Sequence, residues 1–141
     1  VHTGLGPAGV AELIHAGSGD AESVARSRRW WGEQVTSLSD GSSSSAPITG
    51  MMWQALPQEC PQAVYTGMAF EVGTVPVMGI IEGLRADQWL QNHPEAAEPQ
   101  RREIKQLIRN AFYVDTPEWK AQVLTQALTS AHQAVAGLAS D

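Results

Sequence analysis

Cysteine is nearly absent from this chain: Cys60 alone among 141 residues leaves no partner for an intrachain disulfide and no thiolate zinc cluster. Positive charge is scarce too. Nine Lys and Arg stand against fifteen Asp and Glu, a formal net charge of −6, so no basic field exists to hold a phosphate backbone and nucleic acid is not an expected partner. The basic residues that do cluster, Arg26-Ser27-Arg28-Arg29 and Arg101-Arg102, lie among acidic neighbours and read as solvated helix faces. No run approaches the roughly 18 apolar residues that cross a bilayer, so no membrane is expected as a partner. Nor does a basic segment lead into an apolar stretch of the signal-peptide kind, and the expected location is cytoplasmic.

What remains is enough for a hydrophobic core, with 43% apolar residues and five tryptophans to fill it. Val1 to Thr3 reads as the end of a strand, and residues 4–9, with three glycines and a proline, read as a loop. Val10 to His15 is a second short strand. Asp20 caps a helix expected over Ala21 to Leu38, because Val24, Trp31, Val35 and Leu38 share a face. Ser39 to Pro47, with four consecutive serines, is a flexible surface loop. A short helix is expected over Gly50 to Leu56, broken by Pro57 to Pro61. Val64 to Thr74 is the best strand candidate.

Three helices follow. Val77 to Gln91 presents Val77, Ile80, Ile81 and Leu84. The next runs from about Gln100 to Phe112 and buries Ile104, Leu107, Ile108 and Ala111. Thr116-Pro117-Glu118 starts the last, which runs to about Leu138, with Trp119, Val123, Leu124, Ala127, Leu128, Ala131, Val135 and Leu138 on its apolar side. Strand followed by helix, twice over, points to parallel strands of an α/β sheet. The short strands outnumbered by helices suggest that the rest of that sheet lies upstream.

Glu71 is the residue that asks for a reason. It sits inside the apolar, β-prone run Met68 to Val75, where a carboxylate is costly to desolvate unless it is paired. A general base acting on water is one reason, and a structural salt bridge to an arginine such as Arg85 or Arg109 is another. His2, at a strand end before the glycine-rich segment, is placed either as a metal ligand or as a loop histidine without a role. Arg85 offers a planar fork for a substrate carboxylate or for a salt bridge. His15, His93 and His132 have no chemical partner at useful spacing, and Cys60 is a poor nucleophile.

The segment Val1-His2-Thr3-Gly4-Leu5-Gly6-Pro7 resembles a motif of the bacterial DUF2817 family. The resemblance continues through Ala69-Phe70-Glu71-Val72-Gly73-Thr74, the stretch from Glu82 to Leu90, and the stretch from Ala111 to Lys120, in order. That family is similar to zinc carboxypeptidases and to the succinylglutamate desuccinylase and aspartoacylase group. The resemblance implies His2 as the third zinc ligand and Glu71 as the catalytic glutamate that activates water. The family's arginine-containing substrate segment lies upstream, so Arg85 as a substrate-binding residue rests on its planar fork alone. It implies an α/β fold, the C-terminal part of a zinc-carboxypeptidase-like, mostly parallel or mixed sheet flanked by helices. The reaction implied is hydrolysis of an amide or peptide bond, with a small peptide or N-acyl amino acid as substrate.

The two other zinc ligands of that family belong to an upstream His-Gly-x-x-Gly motif that this sequence does not contain. No histidine here is followed three residues on by Glu. Residues 1–141 are therefore expected to be the C-terminal portion of a catalytic domain, inactive alone. Zinc is expected in the intact parent and absent or weakly held here. The upstream half of the same domain is an expected partner, as is self-association through an exposed sheet edge. The contrasting reading is a non-catalytic helical interaction or structural module.

Overall fold

A computed structural model describes residues 1–140. Three strands and five helices follow in the order β1 (His2–Ala8), β2 (Ala11–His15), α1 (Ala21–Trp31), α2 (Ala55–Glu59), β3 (Met68–Gly73), α3 (Val77–Gln91), α4 (Glu98–Phe112) and α5 (Pro117–Ser140), with a 3-10 turn at Met52–Gln54 before α2. The sheet order is β1-β3-β2. β1 and β3 are parallel, with His2 opposite Glu71, Thr3 opposite Val72 and Gly4 opposite Gly73. Bonds from Gly73 N to Val10 O and from Ala16 N to Gly67 O run in opposite sense along the chain, so β2 is antiparallel and the sheet is mixed. The result is an α/β fold with a small mixed sheet flanked by helices.

The chain divides into two compact units, one of residues 1–11 and 71–124, the other of residues 12–70 with the chain from Thr125 onward. In the first unit Val72, Ile80, Leu90, Ala111 and Trp119 are buried. Gly83 lets α3 and α4 approach closely: a Cβ there would lie 3.0 Å from the Ala111 Cβ and 3.4 Å from the Ile108 Cα. Lys105 of α4 bonds Asp87 of α3 at 2.6 Å across the same pair. Thr116 caps α5 through the Trp119 amide, as its Thr-Pro-Glu start implies.

In the second unit the core is Ile14, Ala16, Val24, Trp31, Val35 and Phe70. Asp20 caps α1 by accepting from the Ser23 amide at 2.9 Å. His15 is buried between Ser27 Oγ, 2.8 Å from Nδ1, and the Ser18 carbonyl, 2.9 Å from Nε2. A carbonyl only accepts, so Nε2 carries the proton and Nδ1 accepts from the Ser27 hydroxyl. His15 is thus a satisfied structural side chain.

Several elements depart from the sequence reading, each for a local reason. Residues 4–9 are not a simple loop: β1 continues to Ala8, with an irregularity in which Gly4 and Ala8 both face Gly73. Gly6, at φ 110°, absorbs it. α1 stops at Trp31 and not at Leu38, because Gly32 takes φ 99° and its amide bonds the Arg28 carbonyl. Val35 is buried all the same, since Thr36 pairs with the β2 backbone through His15 N and Leu13 O. β3 starts at Met68, four residues later than expected. Pro57 does not break a helix but lies in the first turn of α2, where its missing N–H is no loss. Of the basic cluster, Arg26 bonds Thr66 and Tyr65, and Arg28 bonds Val35 O and Asp40, so these two tie loops to α1.

The serine loop is likewise anchored. The Glu12 carboxylate accepts from the Thr36 and Ser43 hydroxyls and from the amide and hydroxyl of Ser44. Partial burial pushes the Glu12 pKa up, but these donors, the Ser44 hydroxyl foremost, outweigh it and the net shift is downward. A carboxyl with a depressed folded pKa stabilises above its unfolded value and loses that contribution as pH falls through the folded one. Amide exchange at Ser44 is accordingly expected to speed up as pH drops below about 4, after correction for intrinsic exchange. Glu12→Gln should show fast exchange already at neutral pH. Equal protection in both proteins at neutral pH would refute the anchor.

Candidate functional site

The alternation of a strand places His2 and Gly4 on one face of β1, and Glu71 and Gly73 on the same face of β3. Parallel pairing in register then brings the two predicted residues together across adjacent strands. His2 Nδ1 lies 3.7 Å from Glu71 Oε2. The imidazole is largely open to solvent, while the Glu71 side chain is only 18% exposed. An acid shielded this far, with its carboxylate turned toward an accessible ring, can exchange protons with a group arriving from solvent.

The surroundings explain the motif residues. A Cβ at Gly4 would lie 3.3 Å from Glu71 Oε1 and 3.3 Å from the Phe112 ring, so glycine leaves the room the carboxylate occupies. At Gly73 a Cβ would run into the Pro7 and Gly6 carbonyl oxygens, where the glycine segment doubles back over the strand end. Thr74 is buried, its hydroxyl within bonding distance of Gly4 O at 3.0 Å and Ala111 O at 2.7 Å. Its own amide donates to Gly4 O as well. Thr3 Oγ1 donates to Phe112 O at 2.6 Å, and Trp119 Nε1 donates to Gly73 O at 2.9 Å. Phe-Glu-Val-Gly-Thr is therefore one frame: Val72 fills the core, Thr74 and Gly73 lock the strand end, and Glu71 is held beside His2.

Thr74→Val removes a buried hydroxyl and strips a hydrogen bond from the Ala111 carbonyl. The expected cost is about 1–3 kcal/mol, read by urea unfolding. A loss below about 0.3 kcal/mol, within the scatter of neutral substitutions, would mean the hydroxyl does not lock the strand.

Arg85 is exposed on α3, and no hydrogen bond or ion pair joins it to Glu71 among the described residues. Arg109 is committed elsewhere: it bonds Asp115 at 3.1 Å and stands 4.8 Å from the Tyr113 ring centroid. Asp115 also pairs with Lys120, and these two cations hold its carboxyl below the usual range, Lys120 acting foremost. Sequence reasoning missed Phe112, Trp119 and Thr74 as the frame of the site, since each acts across a long chain separation. The one available signal was that all three fall within the segments quoted for the family resemblance.

As a metal centre the pair is incomplete. Among the described residues no group of three or more His, Cys, Asp or Glu side chains is placed to hold a metal ion. One imidazole and one carboxylate do not form the three-ligand set of a catalytic zinc site, so the residues present do not fit a resident zinc by themselves. No described helix is long and apolar enough to cross a membrane. A family model described as a protein of unknown function, DUF2817, matches residues 1–126. No curated protein sequence and no solved structure matches the chain.

Proposed function

This chain belongs to the DUF2817 family, and from that premise we propose that it carries one half of a hydrolytic site. Glu71 is its proton-transferring residue, and it acts on amide or peptide bonds of small peptides or N-acyl amino acids. The observation that carries this reading is the parallel register that sets Glu71 opposite His2, with the side chains 3.7 Å apart in a glycine-framed niche. Glu71 takes a proton from the attacking water and returns it to the leaving nitrogen. His2, whose Nδ1 stands 3.7 Å from that carboxylate, would serve as one ligand of a metal. Any zinc in this reading needs further ligands from residues outside 1–141, as the family's resemblance to zinc carboxypeptidases implies, and no step is assigned to it. Arg85 is kept as a substrate-carboxylate contact only within that completed site.

The same reading makes residues 1–141 a C-terminal portion that is not catalytic alone. A second reading, a non-catalytic interaction or structural module, is favoured by the lack, among the described residues, of any group of three or more side chains that could hold a metal ion. The test uses the longest native polypeptide containing this chain, assayed for zinc content and for hydrolysis of an N-acyl amino acid panel. Glu71→Gln is expected to lower kcat by about 10²-fold or more, with zinc content unchanged. Hydrolysis by the parent that survives Glu71→Gln undiminished would remove Glu71 from the mechanism. A parent with neither zinc nor hydrolysis would favour the structural module.

A further inference from the structure

The two oxygens of the Glu71 carboxylate stand in different surroundings. Oε2 is turned to the His2 imidazole, 3.7 Å from Nδ1. Oε1 is turned to Gly4, 3.3 Å from the point where a Cβ would stand, and the Phe112 Cε1 stands 3.3 Å from that same point. Gly4 is buried and Phe112 half-buried, so the carboxylate and the ring share the space over one glycine. Gly4 does not adopt a positive φ, so what glycine supplies here is room and not a turn. Phe112 is itself tied down. It ends α4, where helix carbonyls have no partner within the helix. The hydroxyl of Thr3, next to His2, donates to Phe112 O at 2.6 Å, and the hydroxyl of Thr74, just past the strand of Glu71, stands 2.7 Å from Ala111 O. Two successive carbonyls at the end of α4 are thereby fastened to the two strands that carry the pair.

We propose that Phe112 is a positioning residue of the hydrolytic site. Its ring blocks the rotations that would swing the Glu71 carboxylate further over Gly4, so Oε2 stays toward His2 and is the oxygen that takes the proton from water. The proposal rests on the hydrolytic reading above and adds to it which oxygen works and what holds it there. A glutamate carboxylate turns almost freely about its last bond, and a base that wanders loses rate. A ring edge removes that freedom without donating a hydrogen bond. A donor in its place would stabilise the charged carboxylate and make it a weaker base. The ring atoms nearest the shared space are Cε1 and Cδ1, on the rim of the aromatic quadrupole, which is its positive side and does not repel an anion.

The experiment is a double-variant cycle in the longest native polypeptide containing this chain, read by hydrolysis of the N-acyl amino acid panel and by urea unfolding. Phe112→Leu withdraws the ring edge and is expected to lower kcat about 10-fold with KM within about 2-fold, because a loosened base is felt in the transition state and not in substrate binding. Gly4→Ala puts a methyl group into the shared space and should lower kcat at least as far. In the double variant that methyl takes over the stop the ring provided. Its kcat should therefore rise above that of Gly4→Ala alone, and its urea midpoint should exceed what the two single losses predict. Full kcat in Phe112→Leu, or losses that combine independently in either readout, would overturn the positioning role while leaving hydrolysis through Glu71 standing. A parent without hydrolysis would overturn the hydrolytic reading and this role with it.

Discussion

Gly73→Ala should lower the melting temperature of the chain by about 10 °C, the combined result of a cost near 2–3 kcal/mol and the shallow temperature slope of a domain this size. The added Cβ would lie inside contact distance of two backbone carbonyl oxygens, those of Pro7 and Gly6. A flexible side chain can swing away from such a clash. Here relief requires moving the glycine segment of β1, together with the bond from Gly9 N to Gly73 O. Alanine's smaller unfolded-state entropy returns less than about 1 kcal/mol of the loss.

Gly41→Ala is the useful comparison. Gly41 has φ 74° with no atom within 4 Å of its virtual Cβ, so that substitution carries backbone strain and no clash, a cost of about 1–2 kcal/mol. If Gly73→Ala melts within 2 °C of the parent, the carbonyl crowding is not what demands glycine. Because the same strand holds Glu71 opposite His2, the variant should also loosen the candidate site.

Trp31→Ala should cost about 3–5 kcal/mol, a large part of the ~5–15 kcal/mol that a domain has to lose. The indole is 3% exposed, rests 5.5 Å from the Trp30 ring, and its N–H donates to Ser130 O. Its removal leaves a cavity beside Ser130, whose side chain is too small to fill the space. Trp31→Phe separates the two contributions. It keeps most of the ring volume and loses the hydrogen bond, so about 1 kcal/mol is expected beyond the volume difference. Urea unfolding at a constant m value gives both numbers. A Trp31→Ala chain within 1 kcal/mol of the parent would mean that this core relaxes around the loss.

Both substitutions fall where a local signal was present in the chain but its consequence was not. Gly73 follows Glu71 at the end of an apolar run, which marks a strand end; that the Gly6-Pro7 backbone folds onto it depends on residues 65 or more positions away. Trp31 closes an apolar face in α1, and periodicity carried that face on to Leu38. Gly32 adopts a positive φ and ends the helix first, a backbone decision that hydrophobic spacing cannot register. Glu12 shows the same limit for charge. As a residue in a short strand it looks ordinary, yet its carboxylate gathers hydroxyls and an amide from a loop thirty residues downstream. The outer faces of α3 and α5 were expected to be core; Val77, Leu84, Leu128 and Leu138 are half-exposed or more. Apolar spacing identifies a face that prefers burial without saying whether this chain supplies the cover.

By itself the sequence determined the helical spans whose ends carry strong signals, Pro76 before α3 and Thr116-Pro117 before α5. It also marked Glu71 and His2 as the residues of chemical interest, because an acid in an apolar strand and a histidine before a glycine run stand out without context. Tertiary structure alone decided that they meet. The 3.7 Å between them comes from a parallel register linking residues 69 positions apart, and backbone hydrogen bonds set such a register only once Val72, Thr74 and Trp119 are packed around it.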